Sequence, residues 1–299
     1  MKNTQVKTRD KEPKVGARSL SARIMSKQHR VLAIHDISGF GRCSLTVALP
    51  ILSAMGIQCV CVPTSVLSAH TGVEGYTCRD MTDDLPGVLA HYRALGLQFD
   101  AIYSGFLGSI RQIEQVRDFV DSFRKGGALF ICDPAMADNG KLYPLFDDAF
   151  VREMRSLCAV ADVIVPNQTE AALLLGRTYS NAAHSEENTR ELLGALQGLG
   201  ALAAVLTGAD NGQGGFGAAC IDSAEDAHFA FAEKIPGAYS GGGDVFASVL
   251  TGALTQGSAL PDAMARAVDF TAAAAKITHE RGGDPLHGLM FEELLAVKS

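Results

Sequence analysis

Short apolar runs alternate with longer stretches of helical periodicity along most of this 299-residue chain. The run Val31–Ile34 has no polar residue and predicts a buried strand. The stretches between the runs place apolar residues three and four positions apart, which predicts helices with one apolar face. Alternation of this kind is typical of a mostly parallel sheet covered by helices on both faces. The pattern therefore predicts one α/β domain over residues 29–299.

The predicted elements follow each other without an internal repeat or a low-complexity linker. The predicted strands are 31–34, 58–62, 101–103, 128–132, 162–165 and 202–206. The predicted helices are 44–55, 81–95, 110–125, 145–158, 186–199, 244–254 and 260–279. Two further strands, 217–221 and 228–232, are expected to form a hairpin or edge pair before a glycine-rich loop.

Charge divides the chain into a basic head and an acidic body. Residues 1–30 carry nine Lys/Arg and two acids, whereas the whole chain has a net charge of −7. An acidic body argues against nucleic acid as a partner. Residues 1–28 lack hydrophobic periodicity and are predicted to be a disordered basic extension. An organelle-targeting peptide is an alternative, although Asp10 and Glu12 count against it, and Met25 is a second candidate for the natural start.

Two further features bear on location. No apolar run approaches the roughly 20 residues that span a bilayer, so a soluble protein without a membrane partner is expected. The seven cysteines form no CxxC pair and no zinc-site spacing. An odd number of scattered thiols predicts reduced cysteines and a cytoplasmic protein.

The stretch Ala238–Ser248 holds the most informative chemistry. Three consecutive glycines lead into Asp244 and then into an apolar helical pattern. A helix N-terminus offers unpaired N–H groups and a positive dipole end, and glycines let an anion approach the backbone closely. An aspartate there suits proton abstraction from a hydroxyl while the N–H groups stabilise a transferred phosphoryl group. A simple capping role for Ser240 or Asp244 is the alternative.

The residues that follow the predicted strands are rich in glycine and polar side chains. Ligands of open parallel sheets bind beyond the carboxyl ends of the strands, so these segments are candidate site residues. The segments are His35–Ser44, Ser68–Gly72, Ser104–Gly108, Asp133–Pro134, Pro166–Glu170 and Thr207–Gly208. The run Gly39–Ser44 also has some likeness to a dinucleotide-binding fingerprint, but it lacks the third glycine.

Taken together and in this order, these motifs resemble those of the pyridoxal (pyridoxamine) kinases of the ribokinase-like superfamily, over about residues 30–290. The resemblance implies a ribokinase-like three-layer sandwich. It also implies ATP-dependent phosphorylation of the 5′-hydroxymethyl group of a vitamin B6 vitamer. The resemblance further implies that the enzyme uses Mg²⁺ and forms a homodimer. Members of the family often also bind a monovalent cation such as K⁺.

The resemblance also assigns roles to residues. Asp244 matches the catalytic base, and Gly241, Gly242 and Gly243 match the anion hole. The positions that match vitamer-binding residues are Asp36, Ser38, His70, Thr71 and Phe106. The positions that match nucleotide- and metal-binding residues are Asp133, Asn167, Thr207 and Gly208 for ATP, with Glu170 and Asp133 for the metal. Loop, turn and helix-start roles for His70, Asn167 and Glu170 are the alternatives.

Three residues depart from the family pattern. Gly242 stands where the family loop usually has threonine, so reduced activity is expected. Phe106 stands where many relatives have tyrosine, and Asp36 replaces a common serine. A carboxylate at position 36 is expected to favour an amine or a protonated pyridine nitrogen. Pyridoxamine and hydroxymethylpyrimidine therefore remain open as substrates, and a non-catalytic B6-binding relative is the alternative from another class.

Overall fold

The computed structural model describes residues 28–180, 185–222 and 226–295. The predicted N-terminal extension therefore lies almost entirely outside the described residues. Within these ranges, one nine-stranded sheet carries helices on both faces. No helix of the described ranges combines the length and the apolar character needed to cross a membrane.

The sheet has the order β11-β10-β9-β8-β5-β4-β1-β2-β3. Its strands are β1 (Arg30–Ser38), β2 (Gln58–Leu67), β3 (Cys78–Asp80), β4 (Ala101–Ser104), β5 (Leu129–Cys132), β8 (Val163–Ile164), β9 (Ala203–Asp210), β10 (Gly215–Ile221) and β11 (Ala227–Glu233). The six central strands from β9 to β2 are parallel, while β3, β10 and β11 add antiparallel edges. A separate two-residue pair joins β6 (Ala137–Asp138) to β7 (Lys141–Leu142).

Eight α-helices are present in the described ranges. They are α1 (Leu45–Ala54), α2 (Leu85–Ala94), α3 (Ile110–Phe123), α4 (Asp148–Cys158), α5 (Gln168–Leu175), α6 (Glu186–Gln197), α7 (Gly242–Thr255) and α8 (Leu260–Glu280). Short 3₁₀ turns cover 124–126, 285–287 and 292–295. Every predicted helix is confirmed in position, whereas α5 lies in a segment to which no element was assigned, although a helix-start role for Glu170 was one alternative.

Two apolar cores lie on opposite faces of the sheet, which confirms the three-layer prediction. Alternate residues of β1 serve the two faces: Leu32 and Ile34 pack with helices α2 to α6, and Val31 packs with α1, α7 and α8. Burial of β1 on both sides explains why its run from Val31 to Ile34 is continuously apolar. All seven cysteines are free, as predicted.

Candidate active site

Helix α7 begins at the glycine loop, with its N-terminus against the loop that follows β1. Gly241 is the N-cap residue and has φ 70°, and a Cβ there would lie 1.8 Å from the carbonyl oxygen of Arg42. Only glycine fits this left-handed position and this close approach. Gly242 and Gly243 form the start of the helix, and Asp244 follows as its third residue. The amides of this first turn have no carbonyl partner within the helix, which suits an anion.

Asp244 has an environment that suits a general base. Its side chain is only 19% exposed, and His35 Nδ1 lies 4.0 Å from its Oδ1. Burial raises the pKa of Asp244 to about 7, with a hydrogen bond from the Ser44 backbone opposing the rise and the Asp36 charge adding to it. Burial also lowers the pKa of His35 to about 3, so the histidine is neutral and forms no ion pair with Asp244. A carboxyl group that titrates near neutral pH matches the requirement for acid–base catalysis.

Asp36 lies inside the crevice, but its carboxylate is engaged by the protein itself. Only 4% of Asp36 is exposed. Its Oδ2 accepts a 2.9 Å hydrogen bond from the Ser38 hydroxyl, and its Oδ1 accepts a short one from the Ser44 hydroxyl. Burial raises the pKa of Asp36, whereas these two hydrogen bonds oppose the rise. Both carboxylate oxygens of Asp36 are therefore occupied by hydrogen bonds within the protein. The predicted contact between Asp36 and a charged vitamer stays a prediction.

Asp133 and Glu170 form a second acidic group close to Asp244. Burial raises the pKa of Asp133 well above its usual range, and the charges of Glu170 and Asp244 raise it further. Burial likewise raises the pKa of Glu170 to about 8. Neither carboxylate takes part in the ion pairs of the described ranges. Buried carboxylates that repel one another and lack a cationic partner fit a site that a divalent cation completes.

The same group is too sparse to hold a metal alone. Within the described residues, no three acidic, histidine or cysteine side chains are grouped closely enough to ligate an ion. Glu170 Oε1 accepts a 3.1 Å hydrogen bond from Met136 N, and Oε2 accepts a 2.9 Å hydrogen bond from Asn167 N. A hard cation held by one or two carboxylates together with phosphate oxygens and water fits this donor set.

Asn167 and Glu170 together cap helix α5. Asn167 Oδ1 accepts from Thr169 N at 2.8 Å and from Glu170 N at 2.9 Å, and its Nδ2 donates to Ala137 O at 2.8 Å. This reciprocal arrangement is a capping box. Thr207 pairs with Asn167 across a β-bridge, which places the adjacent Gly208 at the same edge. The structure thus brings the predicted nucleotide residues together, with most polar atoms of Asn167 already bonded.

Of the predicted vitamer-binding residues, Asp36 and Ser38 bond to each other, whereas His70, Thr71 and Phe106 lie in the loops after β2 and β4. His70 Nε2 donates to Leu286 O at 2.7 Å, and its Nδ1 accepts from Gly72 N at 3.2 Å. Both ring nitrogens are therefore satisfied internally, and only the ring face remains for a ligand. Thr71 is exposed, and Phe106 is half-buried with its ring 5.7 Å from that of Phe146.

Sequence reasoning missed two residues that contact Asp244. Both lie in the candidate segment His35–Ser44, but neither was given a role in the site, and Ser44 was otherwise assigned only to a helix start. Ser44 has φ 56°, which a serine rarely adopts, and no sequence pattern signals this. The sole hint for His35 is its position directly after the apolar run Val31–Ile34.

Comparison with known proteins agrees with this geometry. The sequence model of the phosphomethylpyrimidine kinase family matches residues 49–287, which are well over half of the chain. The chain belongs to the phosphomethylpyrimidine kinase family. A structure of a family protein from Bacteroides thetaiotaomicron, described as a phosphomethylpyrimidine kinase, is 39% identical with a TM-score of 0.87, over 91% of this chain and 94% of that one. An orthorhombic crystal form of the Bacteroides protein, with a TM-score of 0.86, contains pyridoxal.

Other relatives of this kinase family carry the pyridoxal kinase name. The pyridoxal kinase of Lactobacillus plantarum is 34% identical with a TM-score of 0.81, over 89% of this chain and 95% of that one. Bovine pyridoxal kinase is 29% identical over 199 residues, which are 62% of this chain and 61% of the bovine protein. The chain thus spans about three fifths of the length of the mammalian relatives it matches. The predicted ribokinase-like fold and membership of the pyridoxal kinase group are confirmed.

Proposed function

We propose that this protein is an ATP-dependent kinase that phosphorylates the 5′-hydroxymethyl group of a vitamin B6 vitamer. The observation that carries the proposal is the placement of Asp244 in the first turn of α7, beside the acidic pair Asp133 and Glu170. In this proposal Asp244 is the proton acceptor, the first-turn amides are the anion donors, and the acidic pair is the cation-binding group at the same edge of the sheet. The names of the relatives supply the class of acceptor.

The protein's part in phosphoryl transfer is positioning and charge stabilisation. The Asp244 carboxylate accepts the proton of the 5′-hydroxyl as the oxygen attacks the γ-phosphorus of ATP. The amides of Gly242 and Gly243 face the transferred group and stabilise its negative charge. Gly241 permits this geometry because its left-handed φ of 70° turns the chain sharply into the helix. Since the pKa of Asp244 lies at about 7, a large fraction of the enzyme is in the basic form at neutral pH.

Mg²⁺ fits the acidic pair. Asp133 would hold it directly or through water, and Glu170 through water, because the Glu170 oxygens accept backbone N–H groups. Bound Mg²⁺ neutralises charge on the phosphates of ATP. Thr207 and Gly208 would contact the nucleotide from the neighbouring edge, where Asn167 fixes the start of α5.

The vitamer side of the proposal rests on His70, Thr71 and Phe106. The ring faces of His70 and Phe106 suit stacking against a planar heterocycle. Hydroxymethylpyrimidine is a second candidate acceptor, because the matching family is described by a phosphomethylpyrimidine substrate. Both acceptors offer a hydroxymethyl group on a flat aromatic ring.

A substrate panel tests the proposal. The purified protein is incubated with Mg²⁺, ATP and one of pyridoxal, pyridoxine, pyridoxamine and hydroxymethylpyrimidine, while ADP release and the phosphorylated product are measured. We expect vitamer-dependent ADP release and a 5′-phosphorylated B6 product. Turnover of hydroxymethylpyrimidine alone would show that this compound, and not a B6 vitamer, is the substrate. Absence of turnover with every acceptor would refute the proposal that the protein is a kinase of these compounds.

The remaining expectations belong to the same proposal. Removing Mg²⁺ with EDTA should abolish turnover. Exchanging K⁺ for Na⁺ tests whether the enzyme depends on a particular monovalent cation. Sedimentation equilibrium tests the homodimer. The free state of all seven cysteines supports a reducing compartment such as the cytoplasm, which localisation of a tagged protein would check.

A further inference from the structure

Ser44 has a backbone conformation that its residue type disfavours. Its φ is 56° and its ψ is −131°, at the N-cap of helix α1. Within the described residues, Asn139 is the only other non-glycine residue with positive φ. Such conformations persist only where surrounding contacts hold them, and they cluster at functional sites.

The side chain of Ser44 is held by Asp36. The Ser44 hydroxyl donates a short hydrogen bond to Asp36 Oδ1, and both residues are at least 95% buried. Ser38 donates to the other oxygen of Asp36 and thereby fixes the carboxylate. Asp36 itself lies at an irregularity of the sheet, where β1 and β2 shift register between His35 and Ile37. Such irregularities re-aim side chains next to active sites.

The backbone of Ser44 contacts the candidate base. Burial raises the pKa of Asp244, and the nearby backbone amide of Ser44 opposes that rise because it favours the charged carboxylate. The start of α7 is packed against the same segment, because a Cβ on Gly241 would lie 1.8 Å from Arg42 O and 3.3 Å from Cys43 Sγ. The unusual φ of Ser44 therefore aims its amide at Asp244 while its hydroxyl points back to Asp36.

We propose that Asp36 is a positioning residue that acts through Ser44: its carboxylate holds Ser44 in the positive-φ conformation in which the Ser44 amide orients the Asp244 carboxylate. This inference rests on the proposed function only in taking Asp244 as the base. It differs from the expectation that Asp36 binds a charged vitamer directly. In that alternative, the loss of Asp36 acts on vitamer affinity and is independent of the residue at position 44.

A matched pair at position 44 tests the proposal. Ser44→Ala and Ser44→Gly both remove the hydroxyl, but only glycine adopts positive φ without strain. We expect Ser44→Ala to lower kcat by about 10- to 100-fold, because displacement of an orienting group is costly. Ser44→Gly should retain several-fold more activity than Ser44→Ala. Equal losses in the two variants would overturn the proposal.

A double-mutant cycle separates positioning from direct binding. Asp36→Ala should lower kcat strongly in the wild-type background, and much less when Ser44→Gly is already present. An Asp36→Ala loss that is the same in both backgrounds and appears in KM would instead support a direct vitamer contact. If all these variants have lower melting temperatures and Ser44→Gly recovers no activity relative to Ser44→Ala, the role of Asp36 is purely structural. That result would also overturn the proposal.

Amide exchange provides a readout that needs no turnover. The amide of residue 44 is expected to be protected from hydrogen exchange in the wild type and less protected in Ser44→Ala and in Asp36→Ala. Protection should return in the Asp36→Ala/Ser44→Gly double variant, after correction for intrinsic exchange rates. If the protein turns over no vitamer but shows this pattern, the proposed function fails and the positioning inference stands. If turnover is normal and exchange is unchanged in all variants, the positioning inference fails alone.

Discussion

Asp244 combines a helix N-terminus with a raised pKa, two features that act in opposite directions on a carboxylate. The dipole and the Ser44 amide favour its charged form, whereas burial and the Asp36 charge disfavour it. The balance leaves the group titrating near pH 7 rather than near 4. Sequence alone located Asp244 and its glycines because the loop-to-helix pattern is local. It could not reveal His35 or Ser44, whose roles depend on contacts 200 residues away.

Gly242 occupies the position at which the resemblance to pyridoxal kinases predicts threonine, and its geometry has room for that side chain. It is the first residue of α7, its φ is not in the left-handed region, and a Cβ there would lie 3.8 Å from Leu289 Cδ1. We expect Gly242→Thr to raise kcat by about three- to tenfold, because a hydroxyl bonded to phosphate is a charge-assisted contact. Its melting temperature should be equal or higher, since glycine loses more chain entropy on folding.

Gly241→Ala is the matched control for that substitution. Its left-handed φ and the 1.8 Å approach to Arg42 O predict a lower melting temperature and lower kcat. Should Gly242→Thr leave kcat unchanged, a hydroxyl at position 242 does not bind the phosphoryl group, and a lower melting temperature would contradict the prediction that the backbone there accepts threonine without strain.

At the scale of elements, most of the fold was predictable because each strand is an apolar run and each long helix has one apolar face. Helix α5 was missed because its last five residues, Ala171–Leu175, are uniformly apolar and show no helical periodicity. The strands β3, β6 and β7 are too short to give an alternating pattern. Strands β1 and β2 extend beyond their predicted ends, since polar residues such as Ser38 and Ser65 remain in register with a neighbour.

The cap of α5 gives a prediction at this scale. Asn167→Ala removes the acceptor for two helix amides and should lower the free energy of unfolding by about 1 kcal/mol, measured by urea denaturation. Asn167→Ser keeps a capping oxygen and should be more stable than the alanine variant. If Asn167 also contacts the nucleotide, both variants raise the KM for ATP. Equal stability of Asn167→Ala and the wild type would contradict the capping role.

At the scale of the whole molecule, the carboxylates collected at the carboxyl edge of the sheet lower the stability of the ligand-free protein. The folded-state pKa of Asp244 is about 7 and that of Glu170 about 8, against 3.8 and 4.5 for the unfolded groups. The folded state therefore binds more protons than the unfolded state in this window, so its stability falls as pH rises. Buried neutral His35 acts in the opposite sense, but only below pH 6.5.

Thermal unfolding without nucleotide or metal tests this prediction. The melting temperature should fall between about pH 6.5 and about pH 8.5, and Asp244→Asn should show a smaller fall because it lacks one of the titrating groups. Mg²⁺ with ATP should raise the melting temperature, with the larger gain at the higher pH. A melting temperature that rises across this window would contradict the raised pKa values of Asp244 and Glu170 in the folded state.

The most direct measurement for the whole account compares Asp244→Asn with the wild type, using formation of the 5′-phosphorylated vitamer for turnover and calorimetry for vitamer binding. An amide keeps the shape of the side chain but cannot accept the hydroxyl proton. We predict a loss of about 100-fold or more in kcat, with a dissociation constant for the vitamer within about threefold of the wild-type value. A variant that turns over within about threefold of the wild type would contradict the assignment of Asp244 as the catalytic base.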